Sequence, residues 1–369
     1  MKECKIRITK QTKYLITAQF FELYAKLIKD TSKGTRIKKD GKRIRSSTID
    51  NYIYIQKQLQ EFVTDTSYEL KLFLINNLTP KEKEQATKYY KKFFADFTDY
   101  LYTKKDFYDN YVGLIVKGLR TFFNYINTEL NIQVGDYHKK FYIPTEEVDI
   151  VVLTPEQLNY LIYDSNLNAK LPEHLLKVKD IFIFGCTVAL RFSDLMKLKA
   201  ENLQFYNNTH YLKVTSVKTN TNTTIKLPSY AVDVLMKHHK KQKTLLPQHS
   251  NAWLNKCLKE LAKHLDFTEP LIKYRTKRGV KCMVYKNKAK RQHYTLADHI
   301  TTHTMRRTAI TTMLRLGMPD QVVRKISGHS ANSKEFFRYV EFAQSYVDEH
   351  TDMVFEKISN METQKNVFS

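Results

Sequence analysis

Six residues between positions 191 and 339 are of types that could bind an oxyanion, move protons and attack an electrophile. Arg191 lies in "CTVALRFSDLMKLKAENL", beside Ser193, which is placed to cap a helix carrying Asp194, Leu195 and Leu198. A guanidinium at a helix start grips oxyanions together with nearby backbone amides, and Asp194 could hold it in place. Lys218 lies in the turn of "HYLKVTSVKTNTNTTIKLPS", with Lys213 and Lys226 as rivals on the same hairpin. An ammonium on such a turn reaches outward, to a groove or to a leaving oxygen. His303 and Arg306, in "HITTHTMRRTAITTMLRLG", fall at i and i+3, so one helix face carries an imidazole beside a guanidinium. Arg307 is then expected to point elsewhere and to be structural. His329 follows Gly328 at a turn, and Tyr339 comes ten residues later in an aromatic, basic helical run. A phenol attacks well only when a base takes its proton. Taken singly, each has an ordinary alternative: a surface arginine, a solvated hairpin lysine, a chance HxxR pair, one tyrosine among 24.

The whole chain narrows the partner of such a set. Its 369 residues exceed one ordinary core, and 42% hydrophobic content is ample for packed domains. A net charge of +23, spread along the sequence, is tolerated mainly when the partner is a polyanion. Cys4, Cys186, Cys257 and Cys282 form no CxxC or Cys/His cluster, so neither a disulfide framework nor a zinc site is indicated. No two-metal carboxylate set is evident, and no metal or cofactor is expected. No apolar run reaches about 18 residues, so no membrane span is expected, and a reducing cytoplasm fits.

Two domains must position these residues. Apolar spacing predicts a helix over 17–29 (Phe20, Phe21, Tyr24, Leu27, Ile28), and a second from caps at Ser46, Ser47 and Thr48 to about Phe62. The second presents Ile49, Tyr52, Ile53, Leu59 and Phe62 on its apolar side. Between them, "KGTRIKKDGKRIR" (33–45) reads as a flexible or hairpin-like basic arm. Further helices are expected at 80–103 and 107–129. Residues 1–145 thus read as a helical domain with a basic face. An extended linker follows, and "LTPEQL" opens the second domain, 146–369, with Thr154 as N-cap, Pro155 at the first position and Gln157 closing a capping box. That domain is expected to contain helices, a β-hairpin over 210–229, helices from Ser229 to Tyr274, an uncertain lysine-rich stretch 275–297, and helices over 298–357. The fold class is mainly α with a small β element (α+β), two basic lobes able to clamp duplex DNA.

The order Arg, Lys, HxxR, GH, Tyr within one domain resembles the tyrosine recombinase (phage integrase) family. "ALRFSDLMKLKAENL" is similar to its first arginine motif, "HTMRRT" to its histidine–arginine motif, "ISGHS" to its later histidine motif, and "VKTNTNTTIKLP" to its lysine hairpin. The likeness covers about 150–345; the spacing from His329 to Tyr339 is one residue longer than is common in the family. It implies a site-specific recombinase that cleaves and rejoins double-stranded DNA through a 3′-phosphotyrosyl intermediate without metal or ATP. Arg191, Arg306 and His329 would bind the phosphate, His303 would act as base, Lys218 would protonate the 5′-oxygen and Tyr339 would be the nucleophile. It further implies four protomers on DNA, the tail 344–369 docking on a neighbour, accessory DNA-bending proteins, and a place on the bacterial nucleoid. Two readings compete. A type IB topoisomerase-like enzyme shares the chemistry, and a catalytically silent DNA-binding regulator could share the fold.

Overall fold

The structure, a computed structural model, describes residues 8–38, 40–216, 221–239, 243–344, 348, 351–352 and 355. Lys218 and most of the tail 344–369 lie outside the described residues. Those described divide into two units, one within 1–148 and 274–283, the other within 149–273 and 284–369. The fold is mainly helical with small sheets. Its helices are α1 (Thr17–Lys33), α2 (Ser46–Thr66), α3 (Pro80–Thr103), α4 (Asp109–Thr128), α5 (Pro155–Tyr163), α6 (Leu167–Lys170), α7 (Glu173–Val188), α8 (Phe192–Leu195), α9 (Ser229–His239), α10 (Asn251–His264), α11 (Leu296–His299), α12 (Thr302–Arg315), α13 (Asp320–Ser327) and α14 (334–344).

In the first unit, α1–α4 enclose an aromatic core that includes Tyr24, Phe62, Phe93, Phe97 and Phe122. Strands β1 (Tyr14–Leu15) and β2 (Leu72–Phe73) pair antiparallel at its edge. Thr79 and Glu82 close a capping box at the start of α3, with Pro80 at the first helical position. Helix α2 departs from expectation in two details. Arg45, with no side-chain cap bond, precedes it in place of a serine or threonine cap, and Ile53 is half exposed because Tyr52, Ile55, Leu59 and Phe62 hold the buried stripe. In the basic arm, Ile37 bridges Arg43 and Lys38 N donates to Lys42 O at 2.9 Å, the hairpin-like alternative.

The lysine-rich stretch left open by the sequence forms paired strands, Lys273–Lys277 and Val280–Val284. Acidic side chains of the first unit anchor the part within 274–283. Glu146, fully buried, accepts from Arg275 Nε at 2.7 Å and also from Arg275 Nη2 and the Thr276 amide. Asp109 accepts from the amides of Arg278 at 2.8 Å and Gly279 at 3.0 Å. Asp99 pairs with Arg278 and Asp106 with Lys277. Removing one partner of a buried ion pair strands the other, at about 3–5 kcal/mol. Glu146→Ala is therefore expected to lower the stability of the first unit by about 3 kcal/mol. Urea unfolding checks this, and a change below about 0.5 kcal/mol, the scale of an ordinary surface substitution, would contradict it.

The second unit is built around α7. Val178, Ile181, Phe182, Ile183, Phe184 and Val188 are buried around its whole circumference, as a central helix requires. Helix α12 packs closely against it at Gly185, where a Cβ would come within 2.4 Å of Met305 Sδ and 3.0 Å of Met305 Cβ. The expected hairpin gains a third strand: β3 (Leu203–Tyr206), β4 (Thr209–Thr215) and β5 (Asn222–Lys226) form one antiparallel sheet in that order. The helical reading of 229–274 fails after His264. Asp266 adopts a left-handed φ of 56°, and the chain continues in the short strand Pro270–Leu271, where a proline cannot extend a helix. At the start of this unit, Thr154, Pro155 and Gln157 form the expected capping box.

Candidate active site

Arg191 sits where α7 ends. Ala189, in the left-handed conformation at φ 56°, caps α7 and turns the chain, and Arg191 is itself the N-cap of the single-turn α8. The expected Ser193 cap and longer helix are not formed, because the chain is already helical at Phe192 and α8 stops at Leu195. Arg191 Nη1 donates to Ser216 Oγ at 3.1 Å, and Ser216 Oγ lies 3.0 Å from Asp194 Oδ2. Asp194 therefore steadies the guanidinium through a serine at the end of β4. That serine lies 25 residues along the chain from Arg191, so no local spacing signals it.

Arg306 lies on α12 and is 3% exposed. Its Nη1 donates to the Ala189 carbonyl and its Nη2 to the Ser327 carbonyl, each at 2.7 Å. The same Nη2 lies 3.1 Å from His329 Nε2. Gly328, at φ 62°, ends α13 and places His329 there. Ser327 Oγ donates to Val323 O at 2.7 Å and lies 2.8 Å from His329 Nδ1. Arg306 Nη2 also lies 3.3 Å from Nδ1, so the guanidinium faces both ring nitrogens of His329.

These residues line a cleft of about 510 Å³ with Arg191, His303, Arg306, His329, Ser333 and Glu335 on its walls. Four of the six sequence-derived residues thus meet at one cavity. Lys218 lies outside the described residues. Tyr339 is adjacent but behind the wall, 1% exposed and packed with Ala189, Ala309, Ile310, Val323 and Phe336. Its hydroxyl donates to Glu335 Oε1 at 3.0 Å, and the same oxygen lies 3.5 Å from His303 Nε2. Glu335 escaped the sequence reading, although its i, i+4 spacing from Tyr339 on a helix was the available signal. Arg307, expected to point elsewhere, bears electrostatically on the Tyr339 phenol.

Electrostatics prepare the cleft for an anion. Burial, with the like charge of Arg191, pulls the Arg306 guanidinium down to about 10. Burial and both arginines push His329 down to about 3, so its ring is neutral near pH 7. The neighbouring His303 ring holds the Glu335 carboxyl at about 2, with the hydrogen bond from Tyr339 adding to the effect against burial. Burial and then the Glu335 charge raise the Tyr339 phenol, with Arg307 opposing.

These shifts predict an acid response. An unfolded histidine takes its proton near 6.5, whereas folded His329 resists down to about 3, so its contribution to stability is present above 6.5 and lost as pH falls toward 3. The wild-type denaturation midpoint is expected to fall more steeply between pH 6.5 and 4.5 than that of His329→Gln. Parallel slopes for the two proteins would contradict this.

Away from the cleft, donor atoms of His174, Cys257 and Glu260 lie within 4.8 Å of one another. Burial pushes the Cys257 thiol up, and Glu260 already lies 3.3 Å from His174 at the surface, so the trio reads as an ordinary surface contact beside a protonated thiol.

Comparison with known proteins agrees with this architecture. The sequence profile described as the phage integrase family matches residues 152–345, more than half of the chain. No curated protein matches by sequence. A lambda integrase tetramer bound to a Holliday junction is similar in fold, with TM-score 0.58 and 14% identity over 89% of this chain and 78% of that one. The XerH site-specific recombinase bound to a palindromic difH substrate, in a post-cleavage complex, gives 0.55 and 13% over 90% and 87%. A lambda integrase dimer bound to a COC′ core site gives 0.54 and 13% over 89% and 78%. At such identities the likeness is one of fold. Among the described residues no helix is long and apolar enough to cross a membrane. On the profile match and the arrangement just described, the chain belongs to the phage integrase family, the tyrosine recombinases.

Proposed function

We propose that this chain is an active site-specific DNA recombinase that breaks and rejoins duplex DNA through a covalent bond between Tyr339 and a 3′-phosphate. The observation that carries this reading is the meeting of Arg191, His303, Arg306 and His329 at one cleft, with the Tyr339 phenol one side chain behind its wall. A phosphodiester resists attack because it is anionic. Arg191 and Arg306 would bind its non-bridging oxygens and offset the charge that builds in the pentacoordinate transition state. The phosphate would also cancel the guanidinium charges that depress His329, which raises that imidazole's affinity for a proton and suits it to donate to the same oxygens.

In the proposed step the phenolic oxygen bonds to phosphorus and the P–O5′ bond breaks. The phenolic proton passes toward His303, and the 5′-oxygen receives one from Lys218. The phosphotyrosyl ester keeps the energy of the original ester, so rejoining is the reverse step and needs no ATP. Two guanidinium groups neutralise the phosphate, so no step calls on a metal or other cofactor.

The partner is double-stranded DNA. Support comes from the +23 charge, and counterion release would make binding fall steeply with salt. The similar lambda integrase and XerH structures are DNA complexes, one a dimer and one a tetramer. We extend this to four protomers acting on two duplexes, with accessory DNA-bending proteins as further partners, in the cytoplasm on the nucleoid.

The test is covalent capture. Full-length protein is incubated with a library of nicked duplexes in EDTA and the products are denatured in detergent. A nucleotide adduct mapped to Tyr339 by mass spectrometry supports the proposal. Absence of any adduct, or cleavage that requires a divalent ion, overturns it. Efficient relaxation of plasmid irrespective of sequence would instead favour the topoisomerase-like reading.

A further inference from the structure

We infer that Glu335 is a further catalytic residue, the group that first receives the Tyr339 proton and hands it to His303. This rests on the reading of Tyr339 as nucleophile given above. The phenolic O–H donates to Glu335 Oε1 at 3.0 Å, and that same oxygen stands 3.5 Å from His303 Nε2. Glu335 lines the cleft and Tyr339 is buried behind it, so the carboxylate connects the buried phenol to the phosphate pocket.

Helix geometry keeps the connection in place. Glu335 and Tyr339 are one turn apart on α14, so the helix backbone fixes their spacing.

The step balances. The phenolic proton moves to Oε1 as the phenolic oxygen bonds to phosphorus. The proton then leaves Oε1 for His303 Nε2, the ring nitrogen that faces that oxygen. The 5′-oxygen leaves with a proton from a separate acid, assigned above to Lys218. Glu335 ends as it began, a carboxylate. Its low proton affinity, at about 2, keeps it a carboxylate between turnovers, so the phenolic proton can reach it only in step with formation of the O–P bond.

The groups that bear on this carboxylate are His303 from α12, His329 from the turn after α13, Arg191 and Arg306 from the cleft wall, and Tyr339 on its own helix, which Arg307 of α12 influences in turn. Two simpler roles make different predictions. A carboxylate that only latches the phenol in the DNA-free protein would slow cleavage, so removing its charge would speed the reaction. One that only trims the positive charge of the cleft would alter DNA affinity and leave the pH profile alone.

Single-turnover adduct formation on a captured nicked duplex separates these roles. Wild type, Glu335→Gln, Glu335→Asp and Tyr339→Phe are compared from pH 5.5 to 9.5, with duplex affinity measured in parallel. A positioned base typically contributes about 10²–10⁴-fold. Glu335→Gln is expected to slow adduct formation by at least about 10²-fold, with affinity equal or tighter because a negative charge is lost. Its rate should keep rising with pH where the wild type has levelled, since hydroxide replaces the missing acceptor. Glu335→Asp should recover part of the rate and the wild-type pH limb. A Glu335→Gln rate equal to or above wild type, or a slow rate with an unmoved pH profile, overturns the assignment while the function of Tyr339 stands. A wild-type protein that forms no adduct with any duplex overturns the function itself, and this inference with it.

Discussion

Tyr339→Phe is expected to eliminate the covalent protein–DNA complex completely while leaving the fold and the affinity for duplex DNA essentially unchanged. The ring is 1% exposed and packs with Ala189, Ala309, Ile310, Val323 and Phe336, contacts that phenylalanine keeps. The hydroxyl donates to Glu335, whose side chain is half exposed, so water can replace the lost donor at little cost. Stability should therefore change by no more than about 1 kcal/mol, the net worth of one ordinary hydrogen bond. The chemical effect is far larger because no substitute nucleophile is at hand. No other tyrosine occurs between 329 and 345, and the hydroxyls of Ser330 and Ser333 on the cleft wall have no carboxylate contact comparable to that of Tyr339 with Glu335. Detergent-resistant adducts counted on denaturing gels give the answer. Adducts that persist in the variant at even a tenth of the wild-type yield would mean that another residue attacks the phosphate.

What the sequence made legible, and what it hid, follows from how local each cause is. The capping boxes at Thr79 and Thr154 work within four residues, so their helices could be placed from the letters alone. The residues around the cleft stood out because their types and order are unusual together, although Arg191 and Arg306 are 115 positions apart.

Features that depend on distant partners stayed hidden. Ser216 meets Arg191 from 25 residues away in the chain, just past the end of β4. The strands of 273–284 carry lysines and arginines that suit a solvated loop equally well. They are held by Glu146, Asp109, Asp99 and Asp106, more than a hundred residues earlier. Arg307 was assigned away from the site because helical spacing relates it to Arg306 and His303 and says nothing of which helix crosses that face. Glu335 is the instructive case. Its spacing to Tyr339 was local and visible, but a glutamate on a basic helix is ordinary until the fold shows what else its oxygen touches.

The second large effect is expected from Arg306→Lys, a change that preserves charge and removes geometry. The guanidinium of Arg306 serves three partners at once, the carbonyls of Ala189 and Ser327 and the ring of His329. A single ammonium cannot span all three, so at least one buried carbonyl loses its donor, at about 1–3 kcal/mol. Ala189 and Ser327 mark the ends of α7 and α13, so the loss also loosens the two turns that carry Arg191 and His329. Loss of one oriented transition-state donor typically costs about 10²–10³-fold in rate, and adduct formation is expected to fall by at least that much. The pH dependence should change as well. Burial and Arg191 already pull Arg306 down to about 10 from a high starting value. A lysine starts near ~10.4 and meets the same two influences, so it would lose its proton much closer to neutrality. The variant should therefore recover activity as pH is lowered from 8 toward 6, over a range in which the wild-type guanidinium remains charged. Adduct rates for the two proteins across that range measure both effects. A variant within tenfold of wild type, with a parallel pH profile, would show that only the charge at 306 matters and that the fork of hydrogen bonds does not.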